Sequence, residues 1–134
     1  MMRNDLVDLN PGKAMAQACH AANQFTHSMF KRAWAVTGAN EKLLKQYNEW
    51  LEQGDGFGTT IVVAASKKEI EQMIPLAASE GYECGFTFDT SYPIKSAAGE
   101  VFTVNALTCA YIFTGTYTDN YETEIRLRNF PLHP

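Results

Sequence analysis

Hydrophobic residues recur at helical spacing in the first third of the chain. This pattern predicts a long helix over residues 12–36 and a second helix over residues 40–53, with Asn40 as the N-cap of the second. Pro11 suits the start of the long helix, because its missing N–H would have no partner there anyway. The apolar side of the second helix is expected to carry Leu43, Leu44, Tyr47, Trp50 and Leu51.

Shorter apolar runs, separated by polar turns, predict strands. We expect strands over residues 59–65, 82–88 and 101–113, preceded by at most a stub of strand within residues 1–5. Ser66 and Glu69 have the spacing of a capping box and predict a third helix that ends near Gly81. Because strands alternate with helices, a partly parallel sheet covered on both faces is expected.

The length of 134 residues favours a single folded domain. We assign this domain to residues 1–114. The remaining segment, residues 115–134, is polar with a few aromatic residues. It is interpreted as a C-terminal extension, in the form of a tail, a short fourth helix or an arm.

Composition and charge exclude few classes of function. The formal net charge of −4 argues mildly against broad nucleic-acid binding, which usually needs a basic surplus. A local basic patch remains open, with the candidate members Lys31, Arg32, Lys42, Lys45, Lys67 and Lys68. No stretch approaches the roughly 20 apolar residues that span a bilayer, so no membrane association is expected. The three cysteines lack CxxC spacing and are interpreted as small core residues of a cytoplasmic protein.

The long helix is the most informative segment. At about 100° per residue, one broad sector is apolar and is expected to pack. Its members are Met15, Ala18, Cys19, Ala22, Phe25, Met29, Ala33 and Val36. A narrow stripe on the opposite side is rich in nitrogen, holds no carboxylate, and consists of Lys13, Gln17, His20, Gln24, His27 and Lys31. A solvated surface is the simplest explanation of such a stripe.

Lys13 gives the stripe a candidate function. A cation at a helix N-terminus is locally unfavourable, because the free N–H groups and the helix dipole favour an anion there. A bound phosphate or a developing oxyanion would account for it. Other chemistry is disfavoured by geometry: Cys19 and His20 are consecutive and do not face each other. His20 and His27 are two turns apart, too far to share a metal ion without help.

The segment RNDLVDLNPGKAMAQACHAA resembles the opening motif of type-2 peptidyl-tRNA hydrolases. That motif has an Arg and an Asp-Leu pair leaving the first strand, then Gly-Lys, Ala-Gln and His-Ala along the first helix. The matching residues are Arg3, Asp5, Leu6, Gly12, Lys13, Ala16, Gln17, His20 and Ala21. Together with the later strands and Asp89, the resemblance extends over roughly residues 3–113.

The resemblance implies an α/β fold of three layers, α/β/α, with a four-stranded mixed sheet, and commonly a homodimer. It implies hydrolysis of the ester between peptide and tRNA, with peptidyl-tRNA as the partner and no metal or organic cofactor. One part of the pattern differs. The family has Ala-Gly-Arg-Thr after the later Asp, whereas here Asp89 is followed by Thr90, Ser91, Tyr92 and Pro93, so that Pro93 occupies the Thr position.

Ester hydrolysis needs an activated water and positive charge where the oxyanion forms. Lys13 is the expected binder of phosphate or oxyanion, and Asp89 is the expected group that orients or activates water. His20 is the third catalytic candidate, through contact with the tRNA end or, by way of Gln17, with Lys13. The residues expected to bind substrate or support the site are Gln17, Asp5, Thr90 and Ser91.

Each assignment has a structural alternative. Lys13 could be a surface lysine, Asp89 a turn-capping carboxylate and His20 a packing histidine. The alternatives to hydrolysis are a catalytically impaired module that binds tRNA or another phosphate-bearing partner, and a structural protein that keeps only the fold. The changed residues after Asp89 favour the impaired module.

Overall fold

A computed structural model describes residues 1–35, 40–115 and 121–134. The elements are β1 (Met2–Arg3), α1 (Pro11–Trp34), α2 (Glu41–Glu52), β2 (Ala64–Ala65), α3 (Lys67–Ser79), β3 (Glu83–Lys95), β4 (Val101–Phe113) and α4 (Glu122–Leu127). The predicted end of the long helix at Val36 lies outside the described residues, as does the part of the C-terminal extension over residues 116–120.

The strands form one four-stranded mixed sheet with the order β2-β1-β4-β3. β1 pairs with β2 in parallel, and both pairings of β4 are antiparallel. Alternate residues of β4 face opposite sides of this sheet. Tyr111 and Phe113 belong to the apolar cluster under α1 and α2, whereas Ala110 and Ile112 belong to the cluster under α3. The predicted three-layer α/β/α fold is confirmed.

Aromatic packing fixes α2 against α1. Phe25 of α1 lies 5.6 Å from the ring centroids of both Tyr47 and Trp50, and 5.0 Å from that of Phe113. Edge-to-face and tilted pairs at these distances are favourable beyond the area they bury. Leu43 and Leu44 also pack in this cluster, which confirms these two residues, Tyr47 and Trp50 as members of the apolar side of α2.

Side-chain caps fix where α1 and α3 begin. Asn10 is the N-cap of α1, and its side chain accepts a hydrogen bond from the Lys13 N–H at 3.0 Å. The predicted capping box of α3 is present, with reciprocal bonds between Ser66 and Glu69. Asn40 takes the N-cap position of α2 but makes no side-chain cap bond there.

The strand predictions need two corrections. The strand expected over residues 59–65 is limited to Ala64–Ala65, because β1 offers only two residues to pair with it. The strand expected to end at Phe88 continues as β3 to Lys95. It continues because register shifts absorb the irregular residues, and because an edge strand tolerates the missing N–H of Pro93.

The predicted faces of α1 are also partly wrong. Met15 is 66% exposed and Cys19 is exposed, although the periodicity predicts that both pack. Gln17, expected on the outer stripe, is only 2% exposed. The helix turns this amide towards the sheet because hydrogen-bonding partners there satisfy it, as described below. The cysteine prediction consequently holds for buried Cys109 but fails for Cys19.

The C-terminal segment returns to the sheet. The Ala64 N–H donates to the Pro131 carbonyl at 2.8 Å, and the His133 N–H donates to the Val62 carbonyl at 2.9 Å. Phe130 packs against the cluster under α3. No helix among the described residues is long and apolar enough to cross a membrane.

Candidate active site

Polar side chains of α1 bond to β3 along most of their common length, and we call this contact the α1–β3 seam. Lys13 bonds to the Pro93 carbonyl at one end. Gln24 donates to the Phe86 carbonyl at 2.9 Å further along the helix. The hydrogen bonds of the seam join Lys13, Gln17, Gln24 and Ser28 to Pro93, Asp89, Phe86, Thr87 and Glu83. The two segments, far apart in sequence, therefore form one continuous polar contact.

Lys13 is held on three sides at the N-terminal end of the seam. Its Nζ donates to Asp8 Oδ2 at 2.8 Å and to the Pro93 carbonyl at 2.7 Å. It also lies 5.1 Å from the ring centroid of Tyr92, a cation–π contact. The side chain keeps 19% of its surface exposed. An ammonium group has three N–H donors, and two of those on Lys13 have partners within the described residues, so the third is available to a ligand.

Asp8 adopts a conformation that is uncommon for a residue with a side chain. Its φ of 58° lies in the left-handed region, where Asp is among the better tolerated residues. Its Oδ2 accepts hydrogen bonds from Lys13 Nζ and from the Lys95 N–H. The hydrogen bond from Lys13, helped by the one from Lys95, holds the pKa of Asp8 below its usual range. The loop between β1 and α1 thus supplies an ionised partner for Lys13.

Asp89 lies one helical turn from Lys13 along the seam. Gln17, on the turn after Lys13, donates from Nε2 to Asp89 Oδ2 at 2.7 Å. The Ser91 N–H donates to the other oxygen, Oδ1, at 2.9 Å. Both carboxylate oxygens are oriented, and each keeps lone-pair capacity for a further donor.

Thr90 and Ser91 form a bulge in the edge strand. Asp89 pairs with Ala106 and Tyr92 pairs with Val104, so two residues of β3 oppose a single residue of β4. Both bulged residues are exposed beside Asp89. A bulge bends the strand and redirects its side chains.

Tyr92 connects the charged groups of the site. It is fully buried, and its hydroxyl donates to the Val7 carbonyl at 3.1 Å. Burial raises the pKa of Tyr92, the nearby Asp8 and Asp89 carboxylates raise it further, and Arg3 lowers it. Its ring lies under Lys13 and its hydroxyl bonds to the loop between β1 and α1, so Tyr92 ties β3 to both.

The family model of peptidyl-tRNA hydrolase PTH2 matches residues 1–112. The chain belongs to the peptidyl-tRNA hydrolase PTH2 family. A comparison with curated proteins gives no significant match. The PTH2 match covers β1 to β4 except the last residue of β4, and it leaves α4 and the C-terminal tail outside.

Asp5, another residue that matches the PTH2 motif, fixes the loop between β1 and α1. Its carboxylate pairs with Arg3 Nε at 2.7 Å and accepts from the Lys67 N–H at the start of α3. Partial burial alone would raise the pKa of Asp5, but the hydrogen bonds from Arg3 and Lys67 keep it lowered. Arg3 in turn donates to the Leu107 carbonyl at 2.9 Å. Asp5 therefore holds the loop that carries Asp8 against α3.

His20 occupies a different position from the other candidates of the PTH2 motif. It is exposed on α1 and makes no side-chain hydrogen bond within the described residues. The structure brings together Lys13, Gln17, Asp89 and the bulge, whereas His20 faces solvent. Within the described part of the chain, no three His, Cys, Asp or Glu side chains are placed to hold a metal ion.

Sequence reasoning missed three residues of this candidate site. Two of them are Asp8 and Tyr92, and the third is Thr108, whose hydroxyl donates to Gln17 Oε1 at 2.6 Å. The position of Asp8 in the Asp-Leu-Asn-Pro turn that precedes Lys13 is a signal that could have found it. Tyr92 stands out in the sequence only as a departure from the family pattern, and its contact with Lys13 comes from tertiary structure. Nothing in the sequence marks Thr108, which lies within an apolar strand.

Proposed function

We propose that this protein hydrolyses the ester bond between the peptide and the tRNA in peptidyl-tRNA. The observation that carries the proposal is that Gln17 links Asp89 to the first turns of α1, where Lys13 lies. A cation whose third donor has no partner in the described part of the chain and an oriented carboxylate are thus neighbours on one surface. Membership of the PTH2 family supports the same reaction.

The proposed chemistry assigns one task to each charge. Asp89 accepts a proton from a water molecule, which attacks the carbonyl carbon of the ester. The third N–H of Lys13 stabilises the oxyanion that develops or binds a neighbouring phosphate. The bond between the carbonyl carbon and the ribose oxygen then breaks, and the ribose oxygen leaves with the proton that Asp89 had accepted, which returns Asp89 to its ionised form. The peptide acid that is formed loses its own proton to water. The products are the free peptide carboxylate and the tRNA hydroxyl.

The remaining candidates take supporting roles in this proposal. Thr90 and Ser91 are exposed beside Asp89 and can donate hydroxyl hydrogen bonds to the substrate. His20 is accessible for contact with the tRNA end. Asp5 acts by holding the loop, and a homodimer remains a prediction for sedimentation measurements.

Substitution of Lys13 tests the proposal directly. We expect Lys13→Ala to lower kcat/KM for peptide release from peptidyl-tRNA by about 100-fold or more, because removal of one oxyanion donor has effects of that size. Lys31→Ala is the matched control, since Lys31 is exposed on the same helix, about five turns further along it. Circular dichroism should show the same fold for both variants. Equal turnover by the parent and Lys13→Ala would remove Lys13 from the site.

A second candidate function is a catalytically impaired module that binds tRNA or another phosphate-bearing ligand. It is favoured by the engagement of Lys13 with both Asp8 and the Pro93 carbonyl, at the position where the family pattern has Thr. Binding of tRNA that weakens steeply with salt, without release of peptide, would identify this function. Turnover by the parent protein would exclude it.

A further inference from the structure

We infer that Thr108 and Gln17 are positioning residues that fix the orientation of Asp89, an inference that rests on the proposed function of the site. Thr108 is fully buried in β4, and its hydroxyl donates to Gln17 Oε1 at 2.6 Å. Gln17 then donates from Nε2 to Asp89 Oδ2 at 2.7 Å. A chain of hydrogen bonds therefore runs from the interior of the sheet to the carboxylate.

A bulge in β4 places Thr108 for this contact. Thr87 pairs with Cys109 and Phe88 pairs with Leu107, so Thr108 has no partner opposite it in β3. An extra residue of this kind redirects its side chain. The hydroxyl thereby reaches α1, where the thiol of Cys109 also donates to the Gln17 carbonyl.

The chain of bonds determines which way the Gln17 amide faces. If the amide were reversed, Oε1 would face the Asp89 carboxylate, and two acceptors would meet without a proton between them. With the observed orientation, the Thr108 hydroxyl satisfies Oε1 and the carboxylate satisfies Nε2. Gln17 is only 2% exposed, so water cannot readily replace either partner.

Loss of the Thr108 hydroxyl should therefore affect Asp89 through Gln17. A buried Oε1 without a donor is costly, so the amide is expected to turn or shift in search of one. Asp89 then loses the donor that holds Oδ2, and the water that it orients is misplaced. Because Thr108 cannot reach the substrate from the interior, kcat should fall while KM changes little.

The structure offers a matched control in the neighbouring pair. Thr87 is also a buried strand threonine, and its hydroxyl donates to Oε1 of Gln24 on the same helix at 2.9 Å. The Nε2 of Gln24 bonds to the Phe86 carbonyl instead of a carboxylate. Thr87→Val therefore removes the corresponding threonine–glutamine hydrogen bond, which is partly buried, without acting on Asp89.

The experiment compares peptide release by the parent, Thr108→Val, Thr108→Ser and Thr87→Val. We expect Thr108→Val to lower kcat about 10- to 100-fold, the effect expected from a small misplacement of a catalytic group. Thr108→Ser retains the hydroxyl and should keep a kcat near that of the parent, as should Thr87→Val. A double-mutant cycle with Asp89→Asn should show no further loss from Thr108→Val, because the residue acts through Asp89.

Side-chain amide NMR separates the positioning role from the proposed reaction. Thr108→Val should accelerate hydrogen exchange of the Gln17 amide, and Thr87→Val should do so only for Gln24. If the parent releases no peptide but these exchange results are obtained, the proposed function fails and the positioning contact stands. Equal losses of kcat in Thr108→Val and Thr87→Val, or an unchanged Gln17 amide in Thr108→Val, would overturn the inference.

Discussion

At the scale of single residues, the ion pair between Lys13 and Asp8 determines how available the candidate cation is. The pair lies at the surface, with 19% of the Lys13 side chain and 39% of the Asp8 side chain exposed. Exposed pairs contribute little to stability, so the main effect of Asp8 is on the position of Lys13. The left-handed backbone of Asp8 supports this view, because unusual conformations persist where the surroundings require them.

Asp8→Asn should lower the free energy of unfolding at neutral pH but not in acid, where Asp8 itself becomes protonated. The lowered pKa of Asp8 means that the folded state favours its ionised form. This contribution to stability is present above the unfolded pKa of about 3.9 and is lost as the pH falls through the lower, folded value. Urea unfolding at neutral pH should therefore show a slightly less stable variant, because the pair is exposed, with the difference closing below about pH 4.

Asp55→Asn is the control for the Asp8 variant. Asp55 also has a positive φ, of 50°, but it forms no ion pair within the described residues. Its replacement should alter stability equally little at all these pH values. A difference for Asp8→Asn that persists unchanged into acid would contradict the role given to its charge.

The residues of the site could be predicted only where a motif marked them. The Gly-Lys and Ala-Gln pairs identify Lys13 and Gln17 from the sequence alone, but periodicity assigns Gln17 to solvent because it counts every amide as polar. Gln17 bonds to two partners, Thr108 and Asp89, and both lie on strands more than 70 residues away along the chain. Long-range pairing of this kind leaves no local pattern in the sequence.

At the scale of elements, helix starts are predicted better than strand ends. The capping box of α3 is predictable because it depends on two residues three positions apart. The extent of β2 and β3 depends instead on what the neighbouring strand offers. The bulge after Asp89 hides the continuation of β3, since it interrupts the alternation that marks a strand.

Ser66→Ala should lower the free energy of unfolding by about 1 kcal/mol, the usual contribution of an N-cap side chain. The Ser66 hydroxyl accepts from the Glu69 N–H and donates to the Glu69 carboxylate, and both bonds are lost in the variant. Chemical denaturation measures the change. Ser79→Ala at the other end of α3 is the control, because among the described residues the Ser79 hydroxyl bonds only to the Leu76 carbonyl. Equal effects of the two substitutions would argue against the cap.

At the scale of the whole molecule, the folded structure extends further along the chain than the residues that match the PTH2 family. The family model ends at residue 112, whereas the chain continues into α4 and a tail that pairs beside β2. Glu80 at the end of α3 accepts hydrogen bonds from the Glu122 and Thr123 N–H groups at the start of α4. The sequence offers a short helix here as one alternative but not its attachment to the sheet, because a polar segment carries no sign of its distant partners.

The tail should therefore contribute to the stability of the sheet, through Phe130 in particular. Phe130 packs against the cluster under α3, whereas Leu132, two residues later, is 70% exposed. Because Phe130 is only partly buried, we expect Phe130→Ala to lower the free energy of unfolding by about 2 kcal/mol, less than the loss of a fully buried Phe. Leu132→Ala should change it by less than about 0.5 kcal/mol, as is usual for a surface position. Urea denaturation measures the free energy of unfolding of both variants. If the tail is part of the folded unit, Phe130→Ala should lower this free energy more than Leu132→Ala does. If the tail merely lies on the surface, the two substitutions should have similarly small effects.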